Sequence, residues 1–241
     1  MGRYREPVLL AELEIWHSRP IAPTRRVALG EGLLPVDPPP GFGGLLLGGI
    51  VAASVEHLGP DLIAELGRLL DDLAAGRRIP QPRLRHRFQV DRIGLARSRH
   101  RLLGHGDIVE FDVEDRGAPA AQVLGAAYSA GAVDQAHRAV VIETLRRAVR
   151  WRGPVGPSLA AHLAGATGGR SWSAGAFVHP RRWALTVLGF NDATTPERGE
   201  VQRRFRALVR SAHPDHGGAS EGAAQRISEL SEARRILLAA G

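Results

Sequence analysis

The stretch VQRRFRALVRSAHPDHGG, residues 201–218, decides how the C-terminal quarter of this chain folds. Its apolar residues recur at the spacing of one helix face: Val201, Phe205, Leu208 and Val209. Its polar and basic residues fall on the opposite side: Gln202, Arg203, Arg206 and Arg210. Because a proline disfavours helical backbone in the residue before it, the helix ends by Ala212 and His213-Pro214-Asp215 lies in the following loop.

Two further helices are predicted on either side of this stretch. WALTVLGF, residues 183–190, indicates a short helix that ends at Gly189, and AAQRISELSEARRILLAAG, residues 223–241, has one apolar face. Two apolar-striped helices joined by a short loop pack as an antiparallel hairpin, and the short helix lies across it. The predicted core of this unit is Leu185, Leu188, Val201, Phe205, Leu208, Ile227, Leu230, Ala233 and Leu237.

Together these segments resemble the J domain of DnaJ-type co-chaperones, of the J-domain-only type as in actinobacteria. The resemblance covers residues 181–241 and implies docking on a DnaK-type chaperone and stimulation of its ATP hydrolysis, with no cofactor and no catalysis by this chain. The implied signal loop is His213, Pro214 and Asp215, and the implied docking face is Gln202, Arg203, Arg206 and Arg210. The sequence departs from the family at Ala212 and Arg234, where aromatic residues are usual.

Composition and charge restrict which bonds, metal sites and partners the chain can have. There is no cysteine among the 241 residues, which excludes disulfides and cysteine-ligated metals. The net charge is +7, but all 32 basic residues are arginine, whose high pKa raises the isoelectric point by itself. Nucleic acid is therefore not expected as a partner. The longest apolar run, residues 45–55, is too short to span a bilayer and no signal peptide is recognised, so a cytoplasmic protein without a membrane partner is expected.

We predict an α+β fold in three regions. Residues 1–152 form a mixed domain with helices over 45–58, 60–75 and 133–151 and strands over 8–16, 83–90, 107–115 and 120–130. Residues 153–180 form a flexible linker rich in Gly, Pro and Ser, with room for a short helix over 158–163. Residues 181–241 form the all-helical J domain.

The function of residues 1–152 stays open at this level. The segments 36–54 and 106–130 faintly resemble a hot-dog fold, whose members act on acyl thioesters, although no histidine adjoins Asp37 in sequence. Three alternatives therefore remain: an acyl-thioester enzyme with an accessory J domain, a basic adaptor for nucleic acid or membrane, and direct binding of unfolded client protein. His86, His100 and His105 lack a metal-ligand spacing, so no metal site is predicted.

Overall fold

The computed structural model describes residues 7–19, 25–105, 108–165, 179–212 and 223–239. The fold is α+β, with a five-stranded mixed sheet and eight helices within those ranges. Helices that follow β2 and β5 pack against the sheet, and the last of three C-terminal helices contacts its first strand. No helix in this part of the chain has the length and apolar character needed to cross a bilayer.

The sheet contains the strands β1 (Val8–His17), β2 (Arg26–Leu33), β3 (Arg87–Phe88), β4 (Ala96–His105) and β5 (Ile108–Val113), in the order β3-β2-β1-β4-β5. The β2–β3 pair is parallel and the other pairs are antiparallel. On β4, Ser98, His100 and Leu102 point into the protein while the arginines between them point outward. The inner face is therefore partly polar, which has consequences for the site described below.

Helix α1 (Gly41–Val55) lies at the centre of the N-terminal region. Nearly all of its residues are buried, because the sheet covers one side and helices cover the other. The pair Gly48–Gly49 allows neighbouring elements to approach the helix backbone closely on both sides. A Cβ atom on Gly48 would lie 2.6 Å from a methyl group of Leu163, and one on Gly49 would lie 2.4 Å from the ring of Phe111. The glycines therefore set the distance at which neighbours on two sides approach α1.

Helices α2 (Pro60–Ala74), α3 (Pro119–Gly131), α4 (Gln135–Arg150) and α5 (Pro157–Ala164) complete the N-terminal region. The predicted helices over 45–58, 60–75 and 133–151 are confirmed with small shifts at their ends, as are the strands over 8–16 and 107–115.

The predicted strand over 120–130 is wrong, because this alanine-rich segment is part of α3 and is buried on nearly all sides. A helix surrounded by apolar neighbours shows no 3.6-residue period, so its pattern cannot be distinguished from that of a strand. The strand over 83–90 shrinks to the two residues of β3. Strands β2 and β4 were not predicted.

The region predicted as a linker begins with a buried helix. Leu159, Ala160 and Leu163 of α5 are inaccessible to solvent, and α5 contacts α1 and α4. The first part of residues 153–180 therefore belongs to the core of the N-terminal region. Residues 166–178 lie outside the described ranges, so flexibility there stays a prediction.

Three helices form the C-terminal part: α6 (Pro180–Val187), α7 (Arg198–Ala212) and α8 (Ala223–Ala239). Helix α8 contacts both α6 and α7 and also reaches β1. Arg235 of α8 donates to the carbonyl oxygens of Leu9 and Leu10, each at 3.1 Å, beside a register shift in the β1–β4 pairing. The same guanidinium binds the buried carboxylate of Glu232 at 2.6 and 2.8 Å, so α8 is fixed to the sheet by a charged anchor.

Candidate functional site

Helix α7 presents a basic face to solvent. Val201 is buried, and Phe205, Leu208 and Val209 are half-buried against α8, which orients the opposite side outward. The predicted docking residues Arg203, Arg206 and Arg210 are exposed, and Gln202 is half-buried. The three arginines therefore lie on the solvent-facing side of α7, as the amphipathic pattern predicts, whereas Gln202 is partly covered, and their role in docking stays a prediction.

The arginines of α7 differ in what they contact. Arg204 donates to the carbonyl oxygen of Gly189 at 3.3 Å and lies over the Phe190 ring at 5.4 Å, so it binds α7 to the end of α6. Arg203, Arg206 and Arg210 form no ion pair with any residue of the described ranges; the Arg210 Nε contacts only the Arg206 carbonyl oxygen, at 3.5 Å. The outer face thus carries three positive charges that no carboxylate of the described ranges neutralises.

His213, Pro214 and Asp215 lie outside the described residues. The described part of α7 ends at Ala212, directly before them. Their position in the sequence therefore puts them immediately after the basic face, and the structure adds nothing about their geometry.

The core of the C-terminal helices agrees in large part with the predicted set. Six predicted residues are buried: Leu185, Leu188, Val201, Leu230, Ala233 and Leu237. Phe205, Leu208 and Ile227 are only half-buried, and Ile236 is a buried residue that the sequence analysis missed. Arg234 places its guanidinium 4.9 Å from the centroid of the Phe205 ring. This cation–π contact covers part of the half-buried Phe205 side chain.

A second polar site lies beneath the sheet, where β4 meets the loop before α3. His100 lies 2.9 Å from the Gln122 amide oxygen, and the Gln122 amide nitrogen donates to Ser98 Oγ at 3.0 Å and to the Arg116 carbonyl oxygen. Ser98 Oγ in turn lies 2.9 Å from Nε2 of His17. Burial lowers the pKa of His17 and of His100, so both rings stay neutral near pH 7.

The chemistry open to this network is limited by its burial. Ser98 and His100 are inaccessible to solvent, so the serine is not placed to attack a substrate although a histidine lies beside it. A cavity of about 180 Å³ adjoins the network and is lined by Ser54, His57, Glu114 and Gln122 among others. We interpret the network as a connection between the sheet and the loop that starts α3.

The groove between α8 and the N-terminal region has a volume of about 780 Å³. Asp37 and His137 line it on one side, and Ile227 and Ser231 of α8 line it on the other. His137 Nε2 lies 3.7 Å from the carboxylate of Asp37, which is longer than a hydrogen bond. His137 of α4 thus lies near Asp37, although no histidine adjoins Asp37 in the sequence. Only the tertiary fold brings these two residues together.

The three histidines weighed as possible metal ligands, His86, His100 and His105, have different contacts and do not form one site. His86 contacts the carbonyl oxygen of Leu84 at 2.7 Å, His100 belongs to the buried network, and His105 pairs with Glu110 at 2.9 Å. Within the described ranges no group of three His, Asp or Glu residues could hold a metal ion.

Comparison with known proteins adds no relative: no family model matches the chain, and no similar curated protein or solved structure is found.

Proposed function

We propose that this protein is a co-chaperone whose C-terminal region docks on a DnaK-type chaperone and stimulates its ATP hydrolysis. The observation that carries the proposal is the basic face of α7, on the helix that leads directly into His213-Pro214-Asp215: Arg203, Arg206 and Arg210 are exposed and form no ion pair within the described ranges. This combination supports the resemblance to J domains described above. The N-terminal region would then supply client or site specificity.

The physical basis of the docking is electrostatic complementarity. Three like charges on one helix face repel one another, and an acidic surface on the partner relieves this repulsion. Such complementarity accelerates association and fixes orientation more than it increases affinity, which suits a regulator that must leave after each ATP is hydrolysed. The docked loop then shifts the conformational equilibrium of the ATPase.

The test is single-turnover ATP hydrolysis by a DnaK-type chaperone in the presence of the full chain. We expect the wild-type chain to stimulate hydrolysis and His213→Gln to abolish the stimulation. The double variant Arg203→Ala/Arg206→Ala should raise the concentration needed for half-maximal stimulation about tenfold, and more at low salt, because it removes steering charge.

Arg68→Ala is the matched control, since it removes an exposed arginine from α2, far from α7 in the sequence. It should stimulate like the wild type. All variants are first compared with the wild type by circular dichroism and thermal unfolding. A folded wild-type chain that fails to stimulate any DnaK-type chaperone tested, or a His213→Gln variant that stimulates fully, would refute the proposal.

A further inference from the structure

A second basic surface lies at the β3 edge of the sheet, where β3 pairs with β2. Arg25, Arg85, Arg87 and Arg92 are exposed there, and we call these four residues the basic edge. The backbone brings them together: Arg26 pairs with Arg87, the amide of Arg87 donates to the carbonyl oxygen of Arg25 at 2.9 Å, and Arg92 Nε donates to the Leu29 carbonyl oxygen at 3.0 Å. None of the four forms an ion pair within the described ranges.

Two aliphatic side chains project from the loop between β3 and β4. Val90 is 90% exposed and Ile93 is 81% exposed, the highest values among the exposed large apolar residues of the described ranges. Val90 follows Arg87 by three residues, and Ile93 follows Arg92 directly. We call Val90 and Ile93 the apolar tip. Both side chains lie in one loop beside exposed arginines, so together they offer a partner an apolar contact next to positive charge.

The loop holds the apolar tip in place. The amide of Ile93 donates to the carboxylate of Asp91 at 3.0 Å, and the Gln89 side chain donates to the Asp91 carbonyl oxygen at 2.5 Å. At the base of the loop, the Phe88 ring stacks on Tyr128 at 4.2 Å. The loop therefore keeps both side chains in the solvent instead of folding them back, which lowers the ordering cost of binding.

We propose that the basic edge and the apolar tip bind the surface of a membrane that contains anionic lipids. Val90 and Ile93 would enter the boundary between headgroups and acyl chains, and the four guanidinium groups would bind lipid phosphates and carboxylates. A combination of apolar side chains with clustered basic residues is what interfacial binding requires, because each part alone gives only weak attachment.

The two other classes of partner fit the surface less well. Nucleic acid binding to a flexible strand uses aromatic side chains on which bases stack, and valine and isoleucine offer no such face. A protein interface buries about 800 Å² on each partner around an apolar core. Two aliphatic side chains at a loop tip, with the charged Asp91 and Arg92 between them in the sequence, do not form such a core.

This inference goes beyond the co-chaperone proposal and does not depend on it. Its test uses the full chain without any chaperone, in co-sedimentation with vesicles of phosphatidylcholine alone or mixed with phosphatidylserine. We expect binding to the mixed vesicles, weakening as salt is added, and little binding to phosphatidylcholine alone.

Two variants separate the contributions. Val90→Ser/Ile93→Ser should lower the partition coefficient on mixed vesicles about tenfold for each side chain, and Arg85→Ala/Arg87→Ala about fivefold for each arginine. The controls are Ile108→Ser, which removes an exposed aliphatic residue from β5, and Arg68→Ala/Arg152→Ala, which removes two exposed arginines elsewhere. Both controls should bind mixed vesicles like the wild type.

Either of two results would overturn the inference. The first is absence of binding to the mixed vesicles by the folded wild-type chain. The second is vesicle binding that Val90→Ser/Ile93→Ser leaves unchanged while single-stranded DNA competes for it, because the basic edge would then be a nucleic-acid surface.

Discussion

Leu84 and Arg85 occupy the two central positions of a tight turn with φ of 47° and 58°. Arg83 and His86 close this turn with two backbone hydrogen bonds of 2.9 and 2.8 Å. Positive φ at both central positions defines the hairpin turn that usually takes Asn-Gly, because side chains with a Cβ atom are strained there. Burial of the Leu84 side chain offsets the backbone strain at that residue. Arg85 is exposed, so little burial energy offsets the strain at Arg85.

We therefore expect Arg85→Gly to raise the free energy of unfolding by about 1 kcal/mol, measured by chemical denaturation. The same variant should bind anionic vesicles less well, since it removes one charge of the basic edge. Arg85→Ala is the matched control: it removes the charge but keeps the Cβ atom, so it should weaken vesicle binding without the gain in stability. Destabilisation by Arg85→Gly would mean that the arginine side chain stabilises the turn in a way its exposure conceals.

The sequence could not reveal this turn or the apolar tip beside it. RLRHRFQV, residues 83–90, alternates basic and other residues, which is typical of a strand. The turn depends instead on Leu84, which is buried and whose amide donates to the carboxylate of Glu65 at 2.9 Å. That contact joins residues nineteen positions apart, and no local pattern encodes it.

At the scale of elements, the amphipathic helices were predictable from their period, whereas α3 and β4 were not. Helices α2 and α4 each have a clear apolar stripe, because one side contacts solvent. Helix α3 is buried all round and was taken for a strand. Strand β4 was missed because its inward residues include Ser98 and His100, whose burial is made tolerable by Gln122 from α3. A polar side chain that is satisfied only by a distant element looks like a surface residue in the sequence.

Glycines provide a sharp test of how the elements pack. Gly49→Ala should lower the free energy of unfolding by about 1–3 kcal/mol, because the new Cβ atom would lie 2.4 Å from the ring of Phe111 and the core must shift. Gly67→Ala is the control on α2, where no atom lies within 4 Å of the added Cβ. It should raise stability by about 0.5–1 kcal/mol, because alanine favours the helix. Equal effects of the two substitutions in denaturation experiments would contradict the close approach of β5 to α1.

At the scale of the whole molecule, the two candidate surfaces belong to a connected body. The basic face of α7 lies in the C-terminal helices, and the basic edge lies on β2 and β3 and the loop after β3. Between them, α8 contacts β1 through Arg235, and β1 pairs with β2. A chain bound to a membrane through the basic edge would therefore present the face of α7 in a defined orientation, and not as a freely tethered module. Residues 166–178 and 213–222 lie outside the described ranges and do not enter this argument.

The anchor at Arg235 decides whether that orientation is fixed. Arg235→Met should lower the free energy of unfolding by about 3–5 kcal/mol, because it leaves the buried Glu232 carboxylate without its partner and two strand carbonyls without a donor. Adding Glu232→Gln in the Arg235→Met background removes the uncompensated charge, so it should restore part of the loss. In hydrogen exchange, the amides of α8 should exchange faster in Arg235→Met than in the wild type, whereas those of α1 should exchange at the same rate in both. If Arg235→Met unfolds like the wild type and α8 keeps its protection, Arg235 does not hold the C-terminal helices on the sheet, and a fixed orientation of the α7 face no longer follows.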